Sequence, residues 1–352
     1  MSLRTLHSLF FAASIVLAAV SCKKDEETEV LPTLNGDLSF HVPEFVTPNQ
    51  LVTMTPKGVS HPDGNGIGYY WKVTPGMEKA DTTRLEDGKS PVDGKDSDGS
   101  FTYEFSDSLG TYNVSCYGFA KGYTSVSESK YVTVVKGGLD GSVTGTGIKG
   151  YDSHINVDEQ EYFYISHNGL DWFRNNLALS DKGAAYKNAT PMSDVFGRFY
   201  SYEEAMTACP EGWRLPTDKE WTELAASIRP ESKADVHQPI PGIAADFMAD
   251  VQYNQMDMWE YWPAVGSITN KSGMAMIPAG YANLGAIEDG SYPTAAFFGL
   301  YEYAAFWTAD KVETEAGMAY FRYLICDQPD MQIGKGDIKT FGANVRCVRE
   351  NK

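Results

Sequence analysis

Six histidines, five cysteines and 47 acidic side chains are the groups through which this 352-residue chain could do acid–base, nucleophilic or metal chemistry. A Ser/His/Asp hydrolase needs a histidine poised beside its nucleophile. His7, His41, His61, His154, His167 and His237 all stand outside any recognisable nucleophile context. Paired carboxylates of the glycosidase kind arise by chance among so many acids, so spacing assigns none. Glycines crowd residues 137–150, but no Gly-Lys-Ser/Thr follows and the strand-to-helix context of a phosphate loop is missing, so the run reads as a linker. Aromatic rings offer another chemistry. Met256-Asp257-Met258-Trp259-Glu260-Tyr261-Trp262 is dense in them, and Tyr292, Tyr301 and Tyr303 follow. Trp259, Tyr261 and Tyr292 lie in loop-like sequence and are the expected ligand contacts, exposed faces on which sugar C–H groups could stack. Trp213, Trp221 and Trp307 are assigned to the core. The expectation is binding, not catalysis.

Charge narrows the partners. Lys and Arg total 29, so the formal net charge is −18. Nothing in that balance would release counterions from a nucleic acid or hold an anionic lipid surface by charge alone. Hydrophobic residues at 42% and charged residues at 22% describe globular units rather than a disordered chain.

Residues 1–21 read as a signal peptide. Leu9 to Val20 is almost wholly apolar, and twelve helical residues reach only ~18 Å, short of a ~30 Å hydrocarbon core. Leu17-Ala18-Ala19-Val20-Ser21-Cys22 resembles the bacterial lipobox, which implies diacylglyceryl attachment to Cys22 and cleavage just before it. Lys23-Lys24-Asp25-Glu26-Glu27 resembles the acidic surface-export tag of Bacteroidetes lipoproteins. The expected location is the outer membrane, facing outward, with residues 22–36 as a lipidated tether.

Residues 37–136 carry short alternating runs: 38–42, 69–73, 101–105, 112–117 and 129–134. Period-two patterning with aromatic and β-branched residues, broken by Asp63-Gly64-Asn65-Gly66 and Ser108-Leu109-Gly110, predicts strands joined by turns. Tyr70-Trp71-Lys72-Val73 and Gly110-Thr111-Tyr112-Asn113-Val114-Ser115-Cys116 resemble immunoglobulin-like and polycystic-kidney-disease-type repeats. That resemblance implies an all-β Ig/PKD-like sandwich acting as a spacer, with Cys116 a buried thiol. Residues 137–158 are then a Gly-rich linker to a domain over 159–352.

In that domain Ser201 with Glu204, and Thr217 with Glu220, have the spacing of capping boxes. The second opens an amphipathic helix with Trp221, Leu224, Ala225 and Ile228 on one face. Between them runs Cys209-Pro210-Glu211-Gly212-Trp213-Arg214-Leu215-Pro216, which its prolines keep extended or turning. This segment resembles the Fibrobacter succinogenes major paralogous domain. Trp172 with Asn175-Asn176-Leu177, then Ile277-Pro278-Ala279-Gly280-Tyr281, Phe306-Trp307-Thr308 and Asn344-Val345-Arg346-Cys347-Val348-Arg349 agree in order.

The resemblance implies an α+β C-type-lectin-like fold, related to the formylglycine-generating enzymes, and a disulfide between Cys209 and Cys347 in an oxidising envelope. Those enzymes need a reactive cysteine pair. Here Cys326 and Cys347 qualify by position only, and the bridge already claims Cys347. Gln328-Pro329-Asp330 matches the calcium-and-sugar tripeptide of galactose-type C-type lectins, making Gln328 and Asp330 the candidate Ca2+ ligands, but the downstream Trp-Asn-Asp partner is missing. No cofactor is otherwise called for. The expected role is a cell-surface lipoprotein binding an extracellular glycan or protein. The alternative is a structural or assembly component of the envelope without a small ligand.

Overall fold

The computed structural model describes residues 30–76, 99–108, 110–135, 153–158, 160–179, 181–253, 256–259, 267–286 and 292–351. Cys22, the acidic run after it, residues 137–150 and Tyr261 lie outside the described residues.

Alternating sequence becomes strand in the first unit: β1 (Phe45–Val46), β2 (Leu51–Met54), β3 (Gly68–Pro75), β4 (Phe101–Glu104), β5 (Gly110–Phe119) and β6 (Val126–Val134). Four of them form one sheet in the order β1-β6-β5-β3, antiparallel except for β1 beside β6. β2 and β4 pair as a separate antiparallel ribbon. The run 38–42 joins no named strand. It touches a neighbour through one bridge, Ser39 to Lys57, while Leu38, Phe40 and Val42 drop into the core. Trp71 fills the centre, edge-on to Phe40, and its indole N–H donates to the Gly99 carbonyl at 2.9 Å.

The second unit has strands β7 (His154–Val157), β8 (Gln160–His167), β9 (Leu170–Phe173), β10 (Ala184–Ala185), β11 (Arg198–Phe199), β12 (Gln252–Tyr253), β13 (Met256–Asp257), β14 (Tyr281–Asn283), β15 (Ala296–Phe298), β16 (Tyr303–Lys311), β17 (Met318–Ile325), β18 (Gln332–Asp337), β19 (Phe341–Gly342) and β20 (Val348–Glu350). Its helices are α1 (Ser193–Phe196), α2 (Tyr202–Ala208), α3 (Asp218–Ile228) and α4 (Ala244–Phe247). The final strand returns beside an early one in the order β20-β9-β8-β7, and two three-stranded sheets, β15-β14-β19 and β16-β17-β18, follow. β7 occupies residues read as the end of the linker. They pair with β8 rather than crossing open space.

Both capping boxes form. Ser201 and Thr217 each accept from the backbone N–H three residues on, and Glu204 and Glu220 reach back to close them. Such caps stabilise by about 1 kcal/mol each. Trp221, Leu224 and Ala225 bury the inner face of α3 against Trp172, Phe306 and Leu324.

The fold expectation needs correction. Among the described residues strand outweighs helix by 41% to 12%, and the strands form several small sheets. The C-terminal unit is therefore mainly β, not an α+β C-type-lectin-like domain. Among the described residues only α2 and α3 of the α-helices run beyond four residues. The described elements of the first unit are all strands, which leaves its expected Ig/PKD-like sandwich unconfirmed. Its pairing is one full sheet and one two-stranded ribbon. The two units meet where Phe45 packs edge-on to Tyr186 and Lys187 pairs with Glu44. No helix among the described residues is long and apolar enough to cross a membrane.

Candidate functional site

The motif residues are consumed by the scaffold. Arg346 is fully buried and faces no carboxylate. Its Nε donates to Asn176 Oδ1 at 2.8 Å, and its Nη atoms donate to the carbonyls of Phe173, Arg174, Met274 and Ala275. Burial, reinforced by the like charge of Arg174, pushes the guanidinium pKa down to about 9, so it stays cationic at neutral pH. Gly273 O accepts from Arg174 Nε at 2.5 Å, Ser272 O lies 2.7 Å from His167 Nε2, and Met276 O accepts from the Trp259 indole at 3.0 Å. Five consecutive carbonyls, 272–276, are thus clamped by the side chains of His167, Arg174, Trp259 and Arg346.

Asn176 extends the clamp to Asn344, and both amides donate to the Phe196 carbonyl. Arg349 pairs with Asp171 at 2.9 Å and lies over the rings of Trp213 and Tyr164. Arg214 grips Glu220 with two bonds, of 2.9 and 2.6 Å. Trp307 donates its indole N–H to Tyr200 O at 2.7 Å. Cys209 and Cys347 are joined, with Cα atoms 5.8 Å apart, which ties the loop after α2 to the chain end.

The aromatic platform expected from sequence is not where it was placed. Trp259 is only 4% exposed and Tyr292 only 3%. The Trp259 indole is spent on Met276, and the Tyr292 hydroxyl donates to Glu204. Burial first, then that bond, raises the Tyr292 pKa. Neither ring face is open to a sugar. An isolated loop-like segment cannot be told from one folded over a core by composition alone.

The tripeptide at 328–330 does not gather ligands. The Asp330 carboxylate accepts from Gly242 N at 2.7 Å, and Gln328 sits exposed in a turn. Among the described residues no group of three or more His, Cys, Asp or Glu is arranged to hold a metal ion.

Among the described residues three histidines lie within 4.0 Å of a carboxylate: His61 by Asp63, His154 by Glu161, and His237 by Asp310, the last being the shortest approach. His237 Nε2 lies 3.2 Å from Asp310 Oδ2, and its ring stacks on Tyr320 at 3.9 Å. Beneath it Asp218 and Arg322 form a fully buried ion pair, and Asp218 also accepts from His237 N. The pair fastens the loop around residue 237 to β16 and β17.

Partly exposed rings cluster elsewhere. At the margin of the core cluster around the fully buried Trp307, the half-buried Tyr281, Phe341, Phe321, Tyr323 and Tyr303 form a closed circuit. Successive centroids lie 5.7, 4.4, 5.5, 6.5 and 5.8 Å apart. Phe298, 47% exposed, stacks on Tyr281 at 5.6 Å. The backbone explains why the rings lie there. Register sets Phe321 opposite Gly334 and Phe341 near Gly336, and a Cβ at either glycine would run into a ring. Two glycines on one face of β18 thus clear space that the rings fill.

Glu302 and Asp327 lie at the rim, both exposed. Burial, then Tyr281, Glu302 and Asp327, raises the Tyr303 pKa, so its hydroxyl remains a donor at neutral pH. Gln332, opposite Tyr323, adds an amide. The shelf offers ring faces, three phenols and an amide, with negative charge beside them. Composition alone did not find it, because its rings come from five strands. The signal that could have found it is Gly-Lys-Gly at 334–336, opposite the aromatic alternation of Tyr-Phe-Arg-Tyr at 320–323.

No curated protein matches the sequence. A solved structure, the adhesin InvE of Yersinia pseudotuberculosis, aligns at 10% identity over 91% of this chain and 71% of that one, with a TM-score of 0.22, too low to define a common fold. The family profile of the Fibrobacter succinogenes major domain matches residues 165–349, more than half of the chain. It spans the Asn176–Asn344–Arg346 clamp, the disulfide and the shelf, and the chain belongs to that family.

Proposed function

We propose that this protein is a non-catalytic, surface-anchored binding protein. In this reading Cys22 carries the lipid, the outer membrane holds it with its domains facing outward, and the family domain presents the aromatic shelf to a neutral extracellular glycan. The observation that carries the reading is the circuit of half-buried rings around Tyr281. The half-buried rings reach the surface together beside the exposed Phe298, and a contiguous run of partly exposed apolar side chains suits a contact site. The positive C–H edges of a pyranose suit the negative ring face, while the phenols and Gln332 meet its hydroxyls. The carboxylates of Glu302 and Asp327 disfavour uronic, sialylated or sulfated chains.

The test is retardation of the full chain in native gels containing neutral polysaccharides, with pectin and heparin as anionic controls. Phe298→Ala and Tyr323→Ala should each weaken retention about tenfold, since one aromatic contact contributes roughly 1–1.5 kcal/mol. Retention unchanged in the double variant, or stronger on heparin than on neutral chains, refutes the shelf as a glycan site. Mass spectrometry of the native N-terminus tests the anchor. An unacylated Cys22 would remove it.

A further inference from the structure

The first unit carries a surface whose chemistry a spacer does not require. Strand alternation on β5 sends Tyr112, Val114 and Cys116 into the core. It turns Thr111, Asn113, Ser115 and Tyr117 to the opposite face of the sheet. Register sets Tyr70, Lys72 and Thr74 of β3 along one side of that row. Ser127, Ser129, Tyr131 and Thr133 of β6 lie along the other. On these three strands the face consists of hydroxyls, one amide and three phenol rings, with Lys72 its only charge.

The polar row is packed but not closed. Asn113 and Ser115 are fully buried. Ser115 Oγ donates to Asn113 Oδ1 at 2.5 Å and lies 2.8 Å from Ser129 Oγ, and the hydroxyls of Thr111 and Thr133 are 3.2 Å apart. Asn113 Nδ2 and Thr74 Oγ1 have no partner, although their residues are direct cross-strand neighbours. Among the described residues two other buried side-chain polar atoms share that condition, the indole nitrogens of Trp172 and Trp221. Those rings pack against each other, tilted by 56°, in the apolar core of the second unit. Folded proteins leave few such groups, and each calls for a cause. Here a donor and a hydroxyl stand side by side, on a sheet face rather than in a core.

We infer that this face is a second ligand-binding surface, separate from the aromatic shelf, and that it takes a neutral polysaccharide chain. A sugar hydroxyl accepts from Asn113 Nδ2, and another meets Thr74 Oγ1 in either role. Tyr131, 40% exposed, and Tyr70 give C–H faces a place to stack. Lys72 and Tyr131 flank the row, and in this proposal a ligand reaches the buried atoms by displacing these two side chains. An added peptide strand would need a sheet edge, whereas β5 is paired on both sides. A polyanion meets one lysine here and a net charge of −18 overall.

The experiment uses the full chain in which Phe298→Ala and Tyr323→Ala have removed the shelf. Native gels containing xyloglucan, galactomannan or β-1,3-glucan should still retard it. Tyr131→Ala and Asn113→Ala, added singly, should each weaken that retardation about tenfold. Asn113→Ala disturbs a buried row, so Tyr131→Ala at the exposed edge keeps the test open, and thermal melts of both confirm folding. Residual retardation that Tyr131→Ala leaves untouched overturns the inference, and so does its complete absence in the shelf-free chain. If shelf variants change nothing while Tyr131→Ala abolishes binding, the shelf reading falls and this one stands.

Discussion

Replacing Arg346 tests whether the family's last motif is a clamp. Arg346→Met removes a donor from five buried acceptors: one amide oxygen and four carbonyls. At the low end of ~1 kcal/mol per unsatisfied acceptor the loss is about 5 kcal/mol. Relief of the buried charge returns part of it, which leaves a net cost of about 3 kcal/mol. Arg346→Lys is the sharper variant. An ammonium has three donors and no planar fork, so it serves at most three of the five acceptors while keeping the desolvation penalty. Lysine, the conservative choice, is therefore expected to destabilise at least as much as methionine. Urea unfolding followed by tryptophan fluorescence reads this out, because among the described tryptophans all but Trp71 lie in the second unit. Hydrogen exchange should show early loss of protection at Met274, Ala275 and Met276, whose N–H groups bond Ser272 Oγ, Asn270 Oδ1 and Phe247 O. A lysine variant within about 1 kcal/mol of the parent would refute the clamp.

Two further outcomes are expected. Cys209 and Cys347 are 138 residues apart, so Cys209→Ser with Cys347→Ser should cost about 5 kcal/mol in the chain-entropy model. The second unit should then unfold at lower urea, and an unchanged midpoint counts against the bridge. For Glu220, burial alone would raise the pKa, but Arg214 and the Thr217 N–H outweigh it and hold the carboxyl below its usual 4.5. The folded state thus binds that proton less readily than the unfolded chain. The associated stability is present above pH 4.5 and is lost as pH falls through the lowered value. The melting temperature should fall less steeply below pH 4.5 in Glu220→Gln than in the parent. Parallel curves would show that the ion pair carries no linkage.

Local signals were legible in the sequence and assembly was not. Ser201/Glu204 and Thr217/Glu220 announce their caps because a capping box is closed within four residues. The β5 and β6 patterns announce strands because alternation is also local. The order of the small sheets rests on contacts such as Asn176 to Asn344, 168 residues apart, which no window of sequence displays. The same limit misplaced the binding aromatics. Trp259 looked exposed because its neighbours are loop-like, yet it caps a carbonyl of a segment clamped from across the domain.

In the proposed reading, family motif and binding surface separate for a physical reason. A domain of small sheets and one-turn helices leaves many loop carbonyls away from water, and each must be satisfied. Arg346, Asn176, Asn344, Arg174 and Trp259 do that, so their side chains are spent before any ligand arrives. Residues free to contact a ligand must come from positions the scaffold does not bind. Phe298, 47% exposed at the edge of the ring circuit, meets that condition in the proposed reading, and so does Asn113 Nδ2 beside Thr74 in the first unit. Substituting the motif should therefore unfold the protein before it alters specificity. Substituting Phe298, Tyr323 or Tyr131 should alter binding while the melting curve stays in place. A motif variant that folds normally yet loses binding would break that separation.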